Sequence, residues 1–252
     1  MKRGFTLAEV LITLSIVGVV ATMTIPTVMQ KIQNKQYSTK LKKVYTNLNQ
    51  AVRLELDGND RLSDISSEEF LTKYFKIAHN CGKNANDLSC FAQDYSSIGA
   101  NRHGSVNYVY PGNRNGLIGH PHPRYNYRVV LQDGTSMGIC KISYSRHDNS
   151  ANGMYEIYVD VNGLTGPNIV GRDMFKFILY NDGFIAGADN STALRKGVTY
   201  NYGRIEGTGN RMRITDKRYC TKKYSTLEKK GFEDDISTCT EYLIYNNWEM
   251  DY

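Results

Sequence analysis

Glu9 is the one charged residue between Phe5 and Met29, a stretch otherwise built mainly from Leu, Ile, Val, Ala, Thr and Met. If that stretch lies in lipid, a carboxylate within it costs a few kcal/mol and is kept for a partner. A second group of chemistry-bearing residues lies in Asp160-Val161-Asn162-Gly163-Leu164-Thr165-Gly166-Pro167-Asn168, followed by Gly171-Arg172-Asp173. Oxygens from Asp160, Asn162, Asn168 and Asp173 could surround Ca²⁺, which takes roughly six to eight of them. The spacing is not that of an EF-hand and the closing glutamate is missing. The same side chains also suit a turn in which Asx groups hydrogen-bond the local backbone.

Five cysteines, Cys81, Cys90, Cys140, Cys220 and Cys239, leave at least one unpaired within a monomer. Cys140 falls in a strand candidate and reads as a buried thiol. A Zn²⁺ site drawn from these cysteines would lack the CxxC spacing common in such sites. His120-Pro121-His122, with His103 and His147, sits among Pro and Gly and reads as loop. No GxSxG, HExxH, P-loop or dinucleotide fingerprint occurs, and nothing pairs a nucleophile with a base, so no enzymatic activity is expected.

The element that must carry Glu9 is long. Phe5 to Met29 spans 25 residues, and at about 1.5 Å per residue this crosses a bilayer core of roughly 30 Å. Lys2 and Arg3 precede the run and no basic residue returns until Lys31, which places the N-terminus on the cytoplasmic side. A secretory signal would end its apolar run in a small-residue cleavage site, whereas here the small residue, Gly4, comes before it.

Met1-Lys2-Arg3-Gly4 followed by Phe5-Thr6-Leu7-Ala8-Glu9-Val10-Leu11-Ile12 resembles the class III signal of type IV prepilins and type II secretion pseudopilins. The resemblance implies that a prepilin peptidase cuts between Gly4 and Phe5 and methylates Phe5. It implies that Glu9 pairs with the free α-amino group of Phe5 on a neighbouring subunit during assembly, and that Pro26 kinks or locally melts the helix. It further implies a structural filament subunit, held in the inner membrane by one pass with its globular domain outside the cytoplasm, then extracted into a pilus (fimbrium) or pseudopilus by a separate ATPase. Cys220 and Cys239 resemble the disulfide-bounded loop of many pilins, a surface-exposed filament edge, and Cys81 with Cys90 forms a second candidate pair. Outside the cytoplasm both would persist. The loop from Asp160 to Asp173 resembles one that recurs in pilin-like proteins of this length.

Past the membrane, Tyr37, Leu41, Val44, Leu48 and Ala51 or Val52 recur at steps of three and four among polar residues, an amphipathic helix with one apolar stripe. It should continue the anchor helix and stop at Asp57-Gly58-Asn59-Asp60. Ser66-Ser67-Glu68-Glu69 resembles a capping box opening a helix through Phe70, Leu71, Tyr74, Phe75 and Ile77. Strand candidates follow at 106–110, 125–132, 136–144, 155–161, 175–180 and 184–186, with Asp133-Gly134 and Asn181-Asp182-Gly183 as hairpin turns. The expected fold is α+β, a long N-terminal helix packed on an antiparallel sheet. Its expected divisions are a leader at 1–4, a membrane or filament-core helix at 5–29, a stalk helix at 30–57 and a globular domain at 58–252.

The chain has 252 residues and a formal charge of +6, of which Lys2 and Arg3 lie in the expected leader. The remaining balance is too weak to imply a nucleic-acid partner by itself. Basic residues do crowd one region: Arg204, Arg211, Arg213, Lys217, Arg218, Lys222, Lys223, Lys229 and Lys230, with Tyr219 and Tyr224 between them. Such a patch suits either a solvated face or DNA phosphates and bases. The latter would make the chain a filament-tip adhesin or a DNA-uptake minor pilin. Glu241 to Tyr252 follow the last cysteine, and Trp248 is expected to pack back on the domain.

Overall fold

The computed structural model describes residues 6–57, 62, 65–83, 87, 89–92, 94–97, 108–109, 126–141, 153–180, 183–187, 203–204, 211–212, 220 and 232–252. The chain falls into two units, residues 1–36 and residues 37–252. Helix α1, Leu7–Leu56, runs through both. In the first unit its large apolar side chains, among them Leu11, Leu14, Val17 and Met23, are exposed. Pro26 does not melt the helix, which continues unbroken through it. Proline has no N–H to offer the carbonyl four residues back, so a single ladder bond is lost from a helix of 50 residues.

In the second unit the stripe read from the sequence is buried: Tyr37, Leu41, Val44, Leu48, Ala51 and Val52 all join the main core. Each large aliphatic side chain so buried contributes about 1.5–3 kcal/mol. The helix stops at Leu56, and Asp57 N–H donates to the Arg53 carbonyl at 3.0 Å. Helix α2, Ser67–Tyr74, starts where Ser66 Oγ accepts from Glu69 N–H at 3.1 Å. It ends three residues sooner than expected, because Phe75 is extended and Ile77 opens a strand. Tyr74 Oη and Lys73 Nζ both donate to Glu55 Oε2, at 2.5 and 2.8 Å, tying α2 to the end of α1.

Nine strands among the described residues form one sheet. They are β1 (Ile77–Gly82), β2 (Asp94–Ser97), β3 (Tyr108–Val109), β4 (Asn126–Leu131), β5 (Ser136–Lys141), β6 (Gly153–Asp160), β7 (Ile169–Val170), β8 (Met174–Tyr180) and β9 (Ile185–Ala186). The order is β1-β4-β5-β6-β8-β7-β2-β3, with β9 also on β8. Pairing is antiparallel except where β7 meets β2 and β8. β10 (Gly203–Arg204) and β11 (Arg211–Met212) pair separately. β1, β2, β7, β10 and β11 were not expected; β1 escapes the alternation rule because three of its six residues are exposed in succession. Position 142 onward in the third expected strand, the outer residues of the first, and Asn181-Asp182 lie outside the described residues.

The sheet's period of two sorts its side chains. Tyr155, Ile157 and Val159 of β6 and Phe175, Phe177 and Leu179 of β8 join the α1 stripe in the main core. Tyr158 and Met174 belong instead to a second cluster with Cys81, Cys90, Phe91 and Tyr95. Also enclosed are Glu156 and Lys176, whose Oε1 and Nζ lie 3.2 Å apart.

The C-terminal region differs most from expectation. Residues Phe232–Tyr245 form helix α3, so Cys239 lies on a helix, and both Cys220 and Cys239 are buried. Thr240 Oγ1 accepts from Lys176 N–H at 3.2 Å, covering a backbone donor of β8. Trp248 does pack back, 5.1 Å from the Tyr45 ring.

The approach of α3 to the segment after β9 depends on Gly187. A Cβ there would meet the Glu241 backbone nitrogen at 2.2 Å and its Cα at 2.6 Å, while Gly187 N–H donates to Glu241 Oε2 at 2.5 Å. Gly187→Ala is therefore expected to cost about 1–3 kcal/mol or more by overpacking. Thermal unfolding of the detergent-solubilised chain should show a Tm lower by about 5–10 °C. Gly166→Ala, where an added Cβ meets nothing within 4 Å, should leave Tm unchanged.

Candidate functional site

Two places gather the residues singled out in the sequence. At the N-terminus, Gly4 and Phe5 lie outside the described residues, and Glu9 sits in the first turn of α1. Its Oε2 accepts from Thr6 N–H and from Thr6 Oγ1, each at 2.8 Å, while Glu9 N–H donates to Thr6 Oγ1 at 3.3 Å. Thr6-Leu7-Ala8-Glu9 is thus a reciprocal capping box, whose Thr-x-x-Glu spacing is visible in the sequence. Both bonds fall on Oε2, so Thr6 does not engage Oε1. Beyond Glu9 the hydroxyls of Thr13, Ser15, Thr22, Thr24 and Thr27 each donate to a carbonyl three or four residues back. That hides their polarity within the helix, as an apolar solvent requires. Among the described residues α1 is the one helix long and apolar enough to cross a membrane.

The second place is the connection from β6 to β8. Asp160 ends β6, and its Oδ1 accepts from Asn162 N–H at 3.1 Å and its Oδ2 from Tyr95 Oη at 2.6 Å. Asp173 precedes β8, and its oxygens accept from Asn168 N–H at 2.7 Å and Ile169 N–H at 2.5 Å. Asn162 Nδ2 donates to the carbonyls of Thr165 and Gly166. Gly163 has φ +62°, and a Cβ on it would lie 2.7 Å from the Gly134 carbonyl, so only glycine fits this close approach. The loop is also held from a distance: Lys40 Nζ donates to the Val161 carbonyl at 2.9 Å and Tyr252 Oη to that of Gly171 at 2.6 Å. The structure therefore brings Asp160, Asn162, Asn168 and Asp173 into one knot.

Both carboxyls are fully buried. Burial, with the nearby Asp173 charge adding to it, pushes Asp160 up to about 7, and burial likewise pushes Asp173 up to about 6. Asn162 Oδ1 is buried without a hydrogen-bond partner.

Of the cysteines, Cys81 is bonded to Cys90 and Cys220 to Cys239, with Cα atoms 6.3 and 5.3 Å apart. Cys140 is a buried thiol outside both disulfides, which burial pushes up to about 12, so it is not a nucleophile at neutral pH. His79, passed over in the sequence, lies beside the first disulfide with Ser89 and Asp87. Ser89 Oγ is 2.8 Å from His79 Nε2, but Asp87 approaches the same nitrogen at 4.0 Å. A catalytic triad places its acid on the opposite ring nitrogen, so this is no activated serine. His103, His120, His122, His147 and the basic residues Arg213, Lys217, Arg218, Lys222, Lys223, Lys229 and Lys230 lie outside the described residues.

A group whose folded pKa exceeds its unfolded value of about 3.9 holds its proton more tightly when folded. The contribution of Asp160 and Asp173 is therefore full below about pH 4 and is lost as pH rises through about 6 to about 7. Asp160→Asn keeps the acceptor for Asn162 N–H and turns an amide toward Tyr95 Oη, removing the ionisation. With chelator present, the Tm of the native chain should fall relative to Asp160→Asn between about pH 5 and about pH 8. Parallel curves would show that the acid ionises without penalty.

Neither the comparison with curated proteins nor that with solved structures gives a match. Residues 1–25, which hold the Thr6–Glu9 cap, match the family model described as the prokaryotic N-terminal methylation motif, and the chain therefore carries the prepilin-type cleavage and methylation segment of type IV pilin-like proteins.

Proposed function

We propose that the chain is a structural subunit, a pilin, minor pilin or pseudopilin, of a type IV pilus or type II secretion filament. The observation that carries this reading is a carboxylate at the first turn of an exposed apolar helix, inside the matched methylation motif. A prepilin peptidase removes Met1 to Gly4 and methylates Phe5, and the retained helix anchors the subunit in the inner membrane. In lipid the Glu9 charge is costly, and in the filament it meets the α-amino group of Phe5 on an adjoining subunit, so docking is favoured in one register. The capping box supports this reading, because it fixes the carboxylate at the N-terminal end of the helix, three residues from Thr6. Motifs of this kind belong to structural, non-enzymatic subunits.

Intact mass tests the proposal. Protein extracted from membranes should correspond to a chain that starts at Phe5 and carries one added methyl group. Glu9→Ala should likewise start at Phe5 with one added methyl group yet be missing from sheared filaments. A mass retaining Met1 to Gly4 in cells with an active peptidase, or normal incorporation of Glu9→Ala, would overturn it.

The same reading takes Ca²⁺ as the cation of the Asp160 to Asp173 loop. Its support is chemical: two buried carboxylates and the unpaired Asn162 Oδ1 are hard oxygens within one loop. Ca²⁺ added at about pH 8 should raise Tm, since a ligand of the folded state stabilises it by mass action. Asp160→Asn should abolish the rise. A Tm indifferent to Ca²⁺ would leave the loop held by hydrogen bonds alone.

A further inference from the structure

Strand β1 places His79 two residues before Cys81, and the chain returns through Asp87 and Ser89 to Cys90. A ring nitrogen of His79, Cys81 Sγ and Cys90 Sγ lie within 4.8 Å of one another. Asp87 Oδ2 is 4.0 Å from His79 Nε2. Among them sits one hydroxyl: Ser89 Oγ is 2.8 Å from His79 Nε2, 3.2 Å from Cys81 Sγ and 2.5 Å from Asp87 Oδ1. A single oxygen within reach of an imidazole, a sulfur and a carboxylate marks a point on which three kinds of metal donor already converge. The two sulfurs are buried, while His79 is exposed and leaves a path of entry.

We propose that, when the Cys81–Cys90 bond is reduced, this segment binds Zn²⁺ through Cys81, Cys90, His79 and Asp87, so that disulfide and metal are alternative closures of one loop. Two thiolates, one imidazole and one carboxylate match the four-coordinate preference of Zn²⁺. The steps balance. A dithiol gives two electrons and two protons to the S–S bond and becomes a disulfide itself. The two thiols formed then release two protons as two Zn–S bonds form, and the Ser89 hydroxyl rotates away.

Charge balances in both states. Arg128 is almost fully buried, and its Nη1 donates to the Asp87 backbone carbonyl at 3.1 Å. With the disulfide closed, the Arg128 cation stands against the Asp87 anion. With zinc bound, two thiolates and Asp87 stand against Zn²⁺ and Arg128. Neither state leaves a net charge enclosed, which would be costly.

The test uses the full chain in detergent, reduced anaerobically with a phosphine, which competes for metal less than a dithiol. Co²⁺ serves as the coloured probe. The expected result is one equivalent bound, with the d–d bands of a tetrahedral site and a thiolate-to-cobalt charge-transfer band, both erased by Zn²⁺. His79→Ala should weaken binding by about tenfold or more. Replacing Cys81 and Cys90 together with Ser should abolish the charge-transfer band, and a band that survives would assign the metal to other cysteines and overturn the proposal. So would a spectrum indifferent to His79→Ala, or no band in reduced protein that remains folded by circular dichroism. If the reduced chain unfolds without metal, refolding on addition of Zn²⁺ supports the proposal and failure to refold overturns it.

Discussion

The domain depends on the burial of one helical stripe. Leu41 and Leu48 of α1 are wholly enclosed, and they share one core with residues from strands far along the chain, Ile139, Ile157, Phe175 and Phe177. Neither partner can be apolar on its own account: the sheet face would lie in water without the helix, and the helix without the sheet. The contact joins residues more than ninety positions apart, so the loop entropy lost in forming it is repaid only when the whole face closes. The other attachments of the helix, Glu55 to α2 and Lys40 to the Asp160 loop, follow once that face is in place.

Much of this arrangement was legible in the sequence, for definable reasons. The stripe of α1 shows the helical period, Ser66 with Glu69 shows a cap, and β4, β5, β6 and β8 show runs of β-branched and aromatic residues between turn signals. Those properties are local. β1 was not legible, because Ala78, His79 and Asn80 face water and give no alternation. α3 was legible and passed over. Phe232, Ile236, Cys239 and Leu243 fall at steps of three and four, but the two cysteines suggested a surface loop first. What no local pattern could reveal is pairing across distance, such as Tyr95 with Asp160, 65 residues apart, or His79 with the loop that returns through Ser89.

The N-terminal turn shows how one side chain can answer two needs. A helix begins with N–H groups that have no partner, and a carboxylate three residues in can accept from the cap residue. Glu9 does this for Thr6 through a single oxygen. The residue that looked like an unpartnered charge is therefore also the one that closes the start of the helix. Its removal is a change in local structure as well as in charge, and the two effects separate only if the cap is preserved by a neutral acceptor.

The buried pair formed by Glu156 and Lys176 bears on how the strands find their alignment. The two residues sit on neighbouring strands, with Glu156 opposite Ile178 and Lys176 opposite Tyr158, so they meet on a diagonal. A slip of one position would turn every side chain of β8 to the wrong face and carry the ammonium group among aliphatic neighbours. A slip of two positions in the wrong direction would keep the faces but part the ions, stranding each in a medium that cannot solvate it. Greasy residues alone would tolerate the second error almost as well as the correct match, whereas a separated ion pair does not. The pair thus acts as a proofreading device for strand alignment, whatever its net effect on the energy of the finished sheet.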